Sequence, residues 1–201
     1  MKTMTRPNAA GFTLVELVII VGVISVVMVG ATSVMPNIIK GSRADGSTAI
    51  VLNTLRLARD RAIEERRNMD VVFVTPNRIK IVREEISGVI PPPVPAPPIV
   101  YTTIMDVVLE GDQRFIYFTG TGDTGDNFGL TNKPLAFGTG TGTAAIMFTS
   151  EGTLVDSGGD AINGTVFLGT GSDQISARAV TIFGITALVR AWKWDGIKWI
   201  E

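Results

Sequence analysis

An uncharged apolar run near the N-terminus constrains the fold of this chain more than any other feature. No Asp, Glu, Lys or Arg occurs from Leu17 to Ile39. A helix of that length rises about 35 Å, which exceeds the roughly 30 Å thickness of a membrane's hydrocarbon core. The run therefore predicts a membrane-spanning helix, which we expect to begin at Phe12 and to continue to about Ser42.

The residues before the run bear on the direction of insertion and the fate of the N-terminus. Lys2 and Arg6 are the cations of a short leader, and by the positive-inside rule they place the N-terminus in the cytoplasm. A conventional secretory signal is cut after its apolar region. Here the small residue Gly11 precedes the run, so a cut after Gly11 would leave the run on the mature chain.

A single carboxylate, Glu16, stands at the start of the run. An acid inside a bilayer costs about 2.5–3.5 kcal/mol and normally has a partner. A cut after Gly11 would create an α-amine at Phe12, and the i, i+4 spacing would put that amine on the same helix face as Glu16. We therefore predict that Glu16 neutralises an amine of its own chain or of a neighbouring subunit. The alternative is a plain membrane anchor with a stray acid.

The segment Gly11-Phe12-Thr13-Leu14, followed by Glu16, resembles the class III signal of type IV pilins and pseudopilins. The resemblance implies that a prepilin peptidase cuts between Gly11 and Phe12, that Phe12 is then N-methylated, and that Glu16 helps the subunit to dock into a filament. It implies as partners other pilin or pseudopilin subunits, the peptidase and methyltransferase, an inner-membrane assembly platform and, before assembly, membrane lipid. The implied localisation is the bacterial inner membrane, single-pass with a periplasmic C-terminal domain, and then the pilus or pseudopilus.

The composition argues against most catalytic chemistry. Cysteine and histidine are both absent from the 201 residues, which removes disulfides, thiol chemistry and the commonest general base. No spacing of Ser, Asp and Glu assembles a catalytic group. The net charge of −1 becomes more negative when the leader is lost, so the chain has no bulk cationic field for nucleic acid. We predict a protein that is not an enzyme and that uses no cofactor or metal.

Residues 45–67 show the pattern of an amphipathic helix, with Asp45 and Ser47 as candidate N-caps. The apolar stripe consists of Val51, Leu55, Ala58 and Ala62, widened by Leu52 and Ile63. The other face carries arginines interleaved with acids, among them the favourable i, i+4 pair Arg61–Glu65. We interpret that face as solvated, and a polyanion-binding face is the alternative.

A predicted hairpin follows this helix. Asp70 to Thr75 and Arg78 to Arg83 are β-rich runs on either side of the turn signal Pro76-Asn77. The order of helix and hairpin, with Leu55-Arg56-Leu57-Ala58-Arg59 in the helix, resembles the H-type minor pseudopilins and their type IV pilus counterparts, the GspH/FimT group. The resemblance implies an α+β, pilin-like fold, in which a long N-terminal transmembrane and filament helix precedes a mainly antiparallel β-sheet domain. The predicted domains are the leader at 1–11, the helix at 12–42 and the periplasmic or extracellular domain at 43–201, which includes helix 45–67.

Further strand candidates continue to the C-terminus. They are Ile99–Met105, Asp106–Leu109, Arg114–Thr119, Ala144–Thr149, Thr165–Leu168 and Ala179–Phe183. Residues 91–98 are dominated by proline and predict an extended surface spacer. Asn163-Gly164 predicts a hairpin turn.

A glycine-rich loop raises two ligand hypotheses. Gly120, Gly122 and Gly125 have the G-x-G-x-x-G spacing of a dinucleotide site. That match is weak, because no helix start follows to hold a pyrophosphate. Asp123 and Asp126 are candidate calcium ligands, but one loop with two acids is an incomplete set.

The C-terminal residues predict a closing strand pair around a tight Asp195-Gly196 turn. We interpret the three tryptophans of this segment as packing of the last hairpin onto the sheet. The alternative is an exposed aromatic and basic patch that stacks nucleic acid, with Arg190, Lys193 and Lys198 as its cations.

These patterns favour a structural role. The resemblance implies a minor pseudopilin of a type II secretion pseudopilus or a minor pilin of a type IV pilus. The alternative is a type IV pilus subunit whose β domain binds DNA or a surface ligand, for uptake or adhesion, through the weak patch of Arg190, Lys193 and Lys198. No phosphate-binding loop is present, so the energy for extraction from the membrane would come from a separate motor.

Overall fold

The computed structural model describes residues 12–86, 99–129, 133–138, 145–156, 158–171 and 174–201. The leader with Gly11 and the proline-rich segment 91–98 lie outside these ranges, so the expectations about them stay predictions. The chain divides into two compact units, Met1–Ile39 and Lys40–Glu201.

One long helix is followed by short antiparallel strands. The elements in chain order are α1 (Leu14–Glu65), β1 (Met69–Val74), β2 (Arg78–Ile86), β3 (Ile99–Val108), β4 (Arg114–Phe115), β5 (Leu135–Phe137), β6 (Ala145–Phe148), β7 (Leu154–Val155), β8 (Gly164–Gly169), a single 3-10 turn (Gln174–Ser176), β9 (Arg178–Phe183), β10 (Leu188–Trp194) and β11 (Trp199–Ile200). This order confirms the predicted α+β class.

The helix α1 contains both the apolar run and the amphipathic stretch. The N-caps predicted at Asp45 and Ser47 are therefore wrong, because both residues lie inside α1. Their side chains instead serve distant parts of the chain. Asp45 Oδ1 accepts a hydrogen bond from Arg178 Nε at 2.7 Å. Ser47 Oγ accepts one from the backbone N–H of Glu110 at 3.0 Å.

The described strands form two sheets, and every pairing among them is antiparallel. The order in the first sheet is β3-β2-β1-β6-β7. The order in the second sheet is β11-β10-β9-β8-β4, with β5 also paired to β8. The predicted hairpin is confirmed by the β1–β2 register, in which Val74 faces Arg78. The two candidates between 99 and 109 form one strand, β3.

The turn predicted at Asn163-Gly164 is wrong. Gly164 is the first residue of β8, and Asn163 Oδ1 accepts a hydrogen bond from the backbone N–H of Gly184 at 2.8 Å. A Cβ at Gly164 would overlap the ring of Phe137 on the neighbouring strand β5. This glycine therefore allows close strand packing rather than a tight turn.

One hydrophobic core lies between the inner faces of both sheets and the part of α1 that follows Ile39. The predicted stripe is confirmed, since its four central residues are at most 1% exposed: Val51, Leu55, Ala58 and Ala62. Leu52 packs at the margin of this core, whereas Ile63 is 43% exposed and does not extend it. The Arg61–Glu65 pair is present on the solvated face, at 3.6 Å.

The second sheet is covered on its outer face as well. Alternation along β8 sends Val166 and Leu168 into the main core and Phe167 into a second cluster. That cluster contains Phe118, Phe167, Ala177, Ala179, Trp194 and Trp199. The loop at 116–129 lies over it, because Ile116, Tyr117 and Phe118 all pack there.

Candidate functional site

The N-terminal part of α1 exposes apolar side chains. Within the described residues, Leu14–Ala31 is the one helical stretch long and apolar enough to cross a membrane, and none of it is buried. Phe12 is 75% exposed and Leu14 is 81% exposed. An apolar helix surface of this extent requires lipid or a protein partner around it.

The sequence around Glu16 caps the first turn of this helix. The Glu16 backbone N–H donates a hydrogen bond to Thr13 Oγ1 at 3.3 Å. Thr13 is thus the N-cap, and Thr13-Leu14-Val15-Glu16 has the T-x-x-E spacing of a capping box. The carboxylate also lies in the first turn, where the helix dipole favours negative charge. The helix dipole therefore gives the Glu16 carboxylate a local role at the start of α1, which the sequence reasoning missed although the T-x-x-E spacing signals it.

Strand β10 places two of the predicted patch cations on opposite faces. Residues 190 and 193 differ by an odd number along the strand, so their side chains alternate. Arg190 Nη1 binds Asp126 Oδ1 of the covering loop at 2.8 Å. Lys193 lines a groove beside α1, and Lys198 lies in the β10–β11 connection. The structure therefore does not bring Arg190 and Lys193 together.

The tryptophans pack inward, as the sequence indicates. Trp194 and Trp199 are each 8% exposed, and their ring centroids are 5.4 Å apart. Trp199 Nε1 donates a hydrogen bond to the carbonyl oxygen of Thr121 at 3.1 Å. Trp192 Nε1 donates one to Thr181 Oγ1 at 2.9 Å. Two of the three rings are therefore unavailable for stacking on a base.

The closing strand pair is confirmed by the antiparallel register of β10 and β11. Asp195 Oδ1 accepts hydrogen bonds from the backbone N–H groups of Lys198 and Ile197, at 2.7 and 2.8 Å. These bonds, with Lys198 the larger contributor, lower the pKa of Asp195. Gly196 has a φ of 103°, which favours glycine at this position.

Among the described residues no helix follows the glycine-rich loop, which packs against the sheet instead. A Cβ at Gly125 would lie 2.9 Å from the Trp192 ring. Asp123 accepts two backbone N–H groups of its own loop, at 2.7 and 2.8 Å, and Asp126 pairs with Arg190. Both carboxylates thus hold the loop in place. Across the described part of the chain, no group of three or more His, Cys, Asp or Glu side chains could hold a metal ion.

Comparison with known families assigns the N-terminal segment. Residues 6–32 match the family model described as the prokaryotic N-terminal methylation motif. The chain carries this methylation motif. The match confirms the predicted prepilin-type signal, and it runs from Arg6 past Glu16 into the membrane-length part of α1.

Whole-chain similarities are distant. No curated protein matches this chain. The chain is similar to the solved type IV minor pilin FimU of Pseudomonas aeruginosa, with 15% identity, a TM-score of 0.39, and coverage of 81% of this chain and 92% of FimU. It is also similar to the minor pseudopilin EpsH from the type 2 secretion system of Vibrio cholerae, with 13% identity, a TM-score of 0.43, and coverage of 74% of this chain and 95% of EpsH.

Proposed function

We propose that this protein is a minor pilin or minor pseudopilin, a structural and non-enzymatic subunit of a membrane-derived filament. The observation that carries the proposal is the position of the methylation motif on an exposed apolar helix. The motif ends at residue 32, and Leu14–Ala31 inside it has the length and composition of a membrane span. A processed and methylated N-terminus on such a helix suits a subunit that leaves the bilayer and packs into a polymer.

The small residues of this helix support close packing against other helices. A Cβ added at Gly22 or at Gly30 would meet no heavy atom within 4 Å. The helix surface at both glycines is therefore open to a neighbouring helix. Ser25 Oγ donates to the carbonyl oxygen of Val21 in its own helix at 2.7 Å, which leaves no unsatisfied hydroxyl in an apolar setting. Moving the helix from lipid into a bundle gains little hydrophobic free energy, so packing supplies the specificity.

Glu16 is the proposed charge partner in assembly. Cleavage between Gly11 and Phe12 would release an α-amine on Phe12, which is then N-methylated. Glu16 would neutralise that amine, or the amine of the adjacent subunit, and so fix the axial register of the helices.

The finer assignment is to the H-type minor subunits, which belong to a type II secretion pseudopilus or a type IV pilus. In this assignment the subunit is anchored in the inner membrane with a periplasmic β domain before assembly.

DNA binding through Arg190, Lys193 and Lys198 is not favoured by the strand alternation described above. A gel shift with the whole protein at low salt tests that alternative, since phosphate contacts are strongest there.

The decisive experiment is intact mass and N-terminal analysis of the membrane-extracted protein. We expect a chain that begins at Phe12 and carries one added methyl group. Gly11→Leu should block the cut, whereas Gly22→Ala in the helix should leave processing unchanged. A mature chain that begins at Met1, or one that is cut after residue 30, would refute the processing step.

A further inference from the structure

The Lys40–Glu201 unit contains a groove between α1 and strands β10 and β11, with a volume of about 400 Å³. The apolar part of its wall comes from Ala49, Leu52, Ala191, Trp192 and Ile200. This volume falls in the range of roughly 300–1,000 Å³ that is typical of small-molecule sites. The walls can therefore surround the hydrocarbon part of a small ligand.

One buried cation in the wall has an unfilled hydrogen-bonding position. Arg178 lines the groove and is 2% exposed. Its Nη1 donates to the carbonyl oxygens of Ile175 and Ala177, at 3.0 and 2.9 Å. Its Nε donates to Asp45 at 2.7 Å. Its Nη2 is buried and has no hydrogen-bond partner among the described residues.

The unfilled position lies on the side of the guanidinium that suits a carboxylate. Nε and Nη2 form one edge of the planar fork, and a carboxylate fits both donors of such an edge. Asp45 takes only Nε by the hydrogen bond seen, and its side chain is 60% exposed on the groove wall. A carboxylate that enters from the groove side and displaces Asp45 could therefore use both donors.

The other two charged side chains at the groove, Lys193 and Glu201, have opposite signs and different surroundings. Lys193 lines the groove, and it has no ion pair within 4 Å in the described ranges of the chain. Glu201 also lines the groove. Its carboxylate lies 3.8 Å from Nε of Arg190, a residue on the face of β10 opposite to Lys193. Lys193 is thus the charge free to meet an incoming carboxylate.

We propose that this groove binds a small aliphatic carboxylate of medium chain length. The hydrocarbon lies against Ala49, Leu52 and Ile200. The carboxylate takes the Nε–Nη2 edge of Arg178 and is drawn in by Lys193. The site belongs to the folded β domain, and the proposal does not depend on filament assembly.

The test uses the full-length protein in lipid nanodiscs with a diazirine-bearing decanoic acid as the photoprobe, and the matching alcohol as its neutral counterpart. We expect the acid to label peptides from residues 45–53 and 191–200, and excess unlabelled decanoate to suppress this labelling. The alcohol should label them about tenfold less, because it loses the charge-assisted bonds to Arg178. Labelling of Leu14–Ala31 by both probes from the lipid is the internal reference.

Substitutions separate ligand binding from a purely structural role of Arg178. Asp45→Ala removes the competing carboxylate, so acid labelling of the groove should rise severalfold, while Asp60→Ala on the same helix should change nothing. Ala49→Trp fills the groove from an exposed position and should abolish labelling by the acid. Arg178→Gln should remove the preference for the acid over the alcohol. If Arg178→Gln does not fold, Asp45→Ala and Ala49→Trp decide the question.

Three results would overturn the proposal. The first is equal labelling of the groove by acid and alcohol. The second is labelling confined to Leu14–Ala31, with the groove untouched. The third is unchanged or weaker acid labelling in Asp45→Ala, which would mean that Asp45 and a ligand do not compete for Arg178.

Discussion

Asp70 is the carboxyl group whose pKa the fold raises most clearly. Burial in the outer face of the first sheet, and secondly the nearby charge of Glu84, raise the pKa of Asp70 from 3.8 to about 6. The folded state therefore holds this proton more tightly than the unfolded chain does. Between about pH 4 and pH 6 the folded state binds more protons, so the free energy of unfolding falls as pH rises through that window.

We expect Asp70→Asn to stabilise the protein at pH 7.5 and to have little effect below about pH 4. The gain at pH 7.5 should be about 1 kcal/mol, because partial exposure of the side chain and solvent screening reduce the full effect of the shift. Denaturant unfolding at the two pH values measures it. Asp160→Asn, at an exposed position, is the control and should show no pH-dependent gain. An equal gain for Asp70→Asn at both pH values would contradict this account.

Two glycines should respond to alanine with opposite signs. A Cβ at Gly184 would overlap the backbone of Ile162, and backbone cannot rotate away as a side chain can. A Cβ at Gly41 in α1 would meet no atom within 4 Å. We expect Gly184→Ala to lower the free energy of unfolding by about 2–3 kcal/mol, and Gly41→Ala to raise it by up to about 1 kcal/mol. Chemical denaturation of both variants checks the pair, and a neutral Gly184→Ala would show that the 161–163 segment can move.

At the scale of elements, the carboxylate of Asp126 joins the loop at 116–129 to two strands of the second sheet. Asp126 binds Arg190 Nη1 at 2.8 Å and Thr181 Oγ1 at 2.5 Å. Asp126 is the less exposed partner of the ion pair, with 15% of its side chain accessible. The bond therefore connects the loop to β9 and β10 from a largely desolvated position.

Asp126→Ala should lower the free energy of unfolding by about 1–3 kcal/mol, because it leaves the partners of a largely buried carboxylate unmatched. Asp106→Ala is the matched control. Asp106 pairs with Arg78 and Lys80 at 3.4 and 3.5 Å on the surface, and such pairs contribute about 0–1 kcal/mol. Denaturant unfolding followed by tryptophan fluorescence compares the two. Equal losses would mean that Asp126 stabilises the fold no more than a surface ion pair does.

Local patterns were sufficient to predict the elements whose partners are near in sequence. The stripe of Val51, Leu55 and Ala58, the β1–β2 hairpin and the Asp195-Gly196 turn all follow from periodicity and turn chemistry. Asp45 was misassigned as a cap because its partner, Arg178, lies 133 residues away. No local pattern reveals such a pair, and the same holds for the groove that Arg178 lines.

At the scale of the whole molecule, the proposed function assigns stability and filament assembly to different units. The Lys40–Glu201 unit has its own hydrophobic core built from α1 and two sheets. The helix of the Met1–Ile39 unit leaves its apolar residues exposed, among them Val26 at 75% and Val29 at 70%. Substitutions in the core of the Lys40–Glu201 unit should change the free energy of unfolding. Substitutions in the Met1–Ile39 unit should change membrane insertion and filament assembly.

The position of Glu16 allows two roles, helix capping and charge pairing, and substitutions in this turn distinguish between them. A capping box accepts Gln in place of Glu, so Glu16→Gln keeps the start of α1 but removes the charge that would meet the α-amine of Phe12. We expect Glu16→Gln and Glu16→Ala to enter the membrane normally and to be depleted about tenfold or more from sheared filaments, because an unmatched amine in an apolar bundle is costly. Thr13→Ala, which removes the cap acceptor seen at 3.3 Å, should reduce incorporation far less. Normal incorporation of Glu16→Gln together with loss in Thr13→Ala would show that helix capping, not charge, is what assembly requires of this turn.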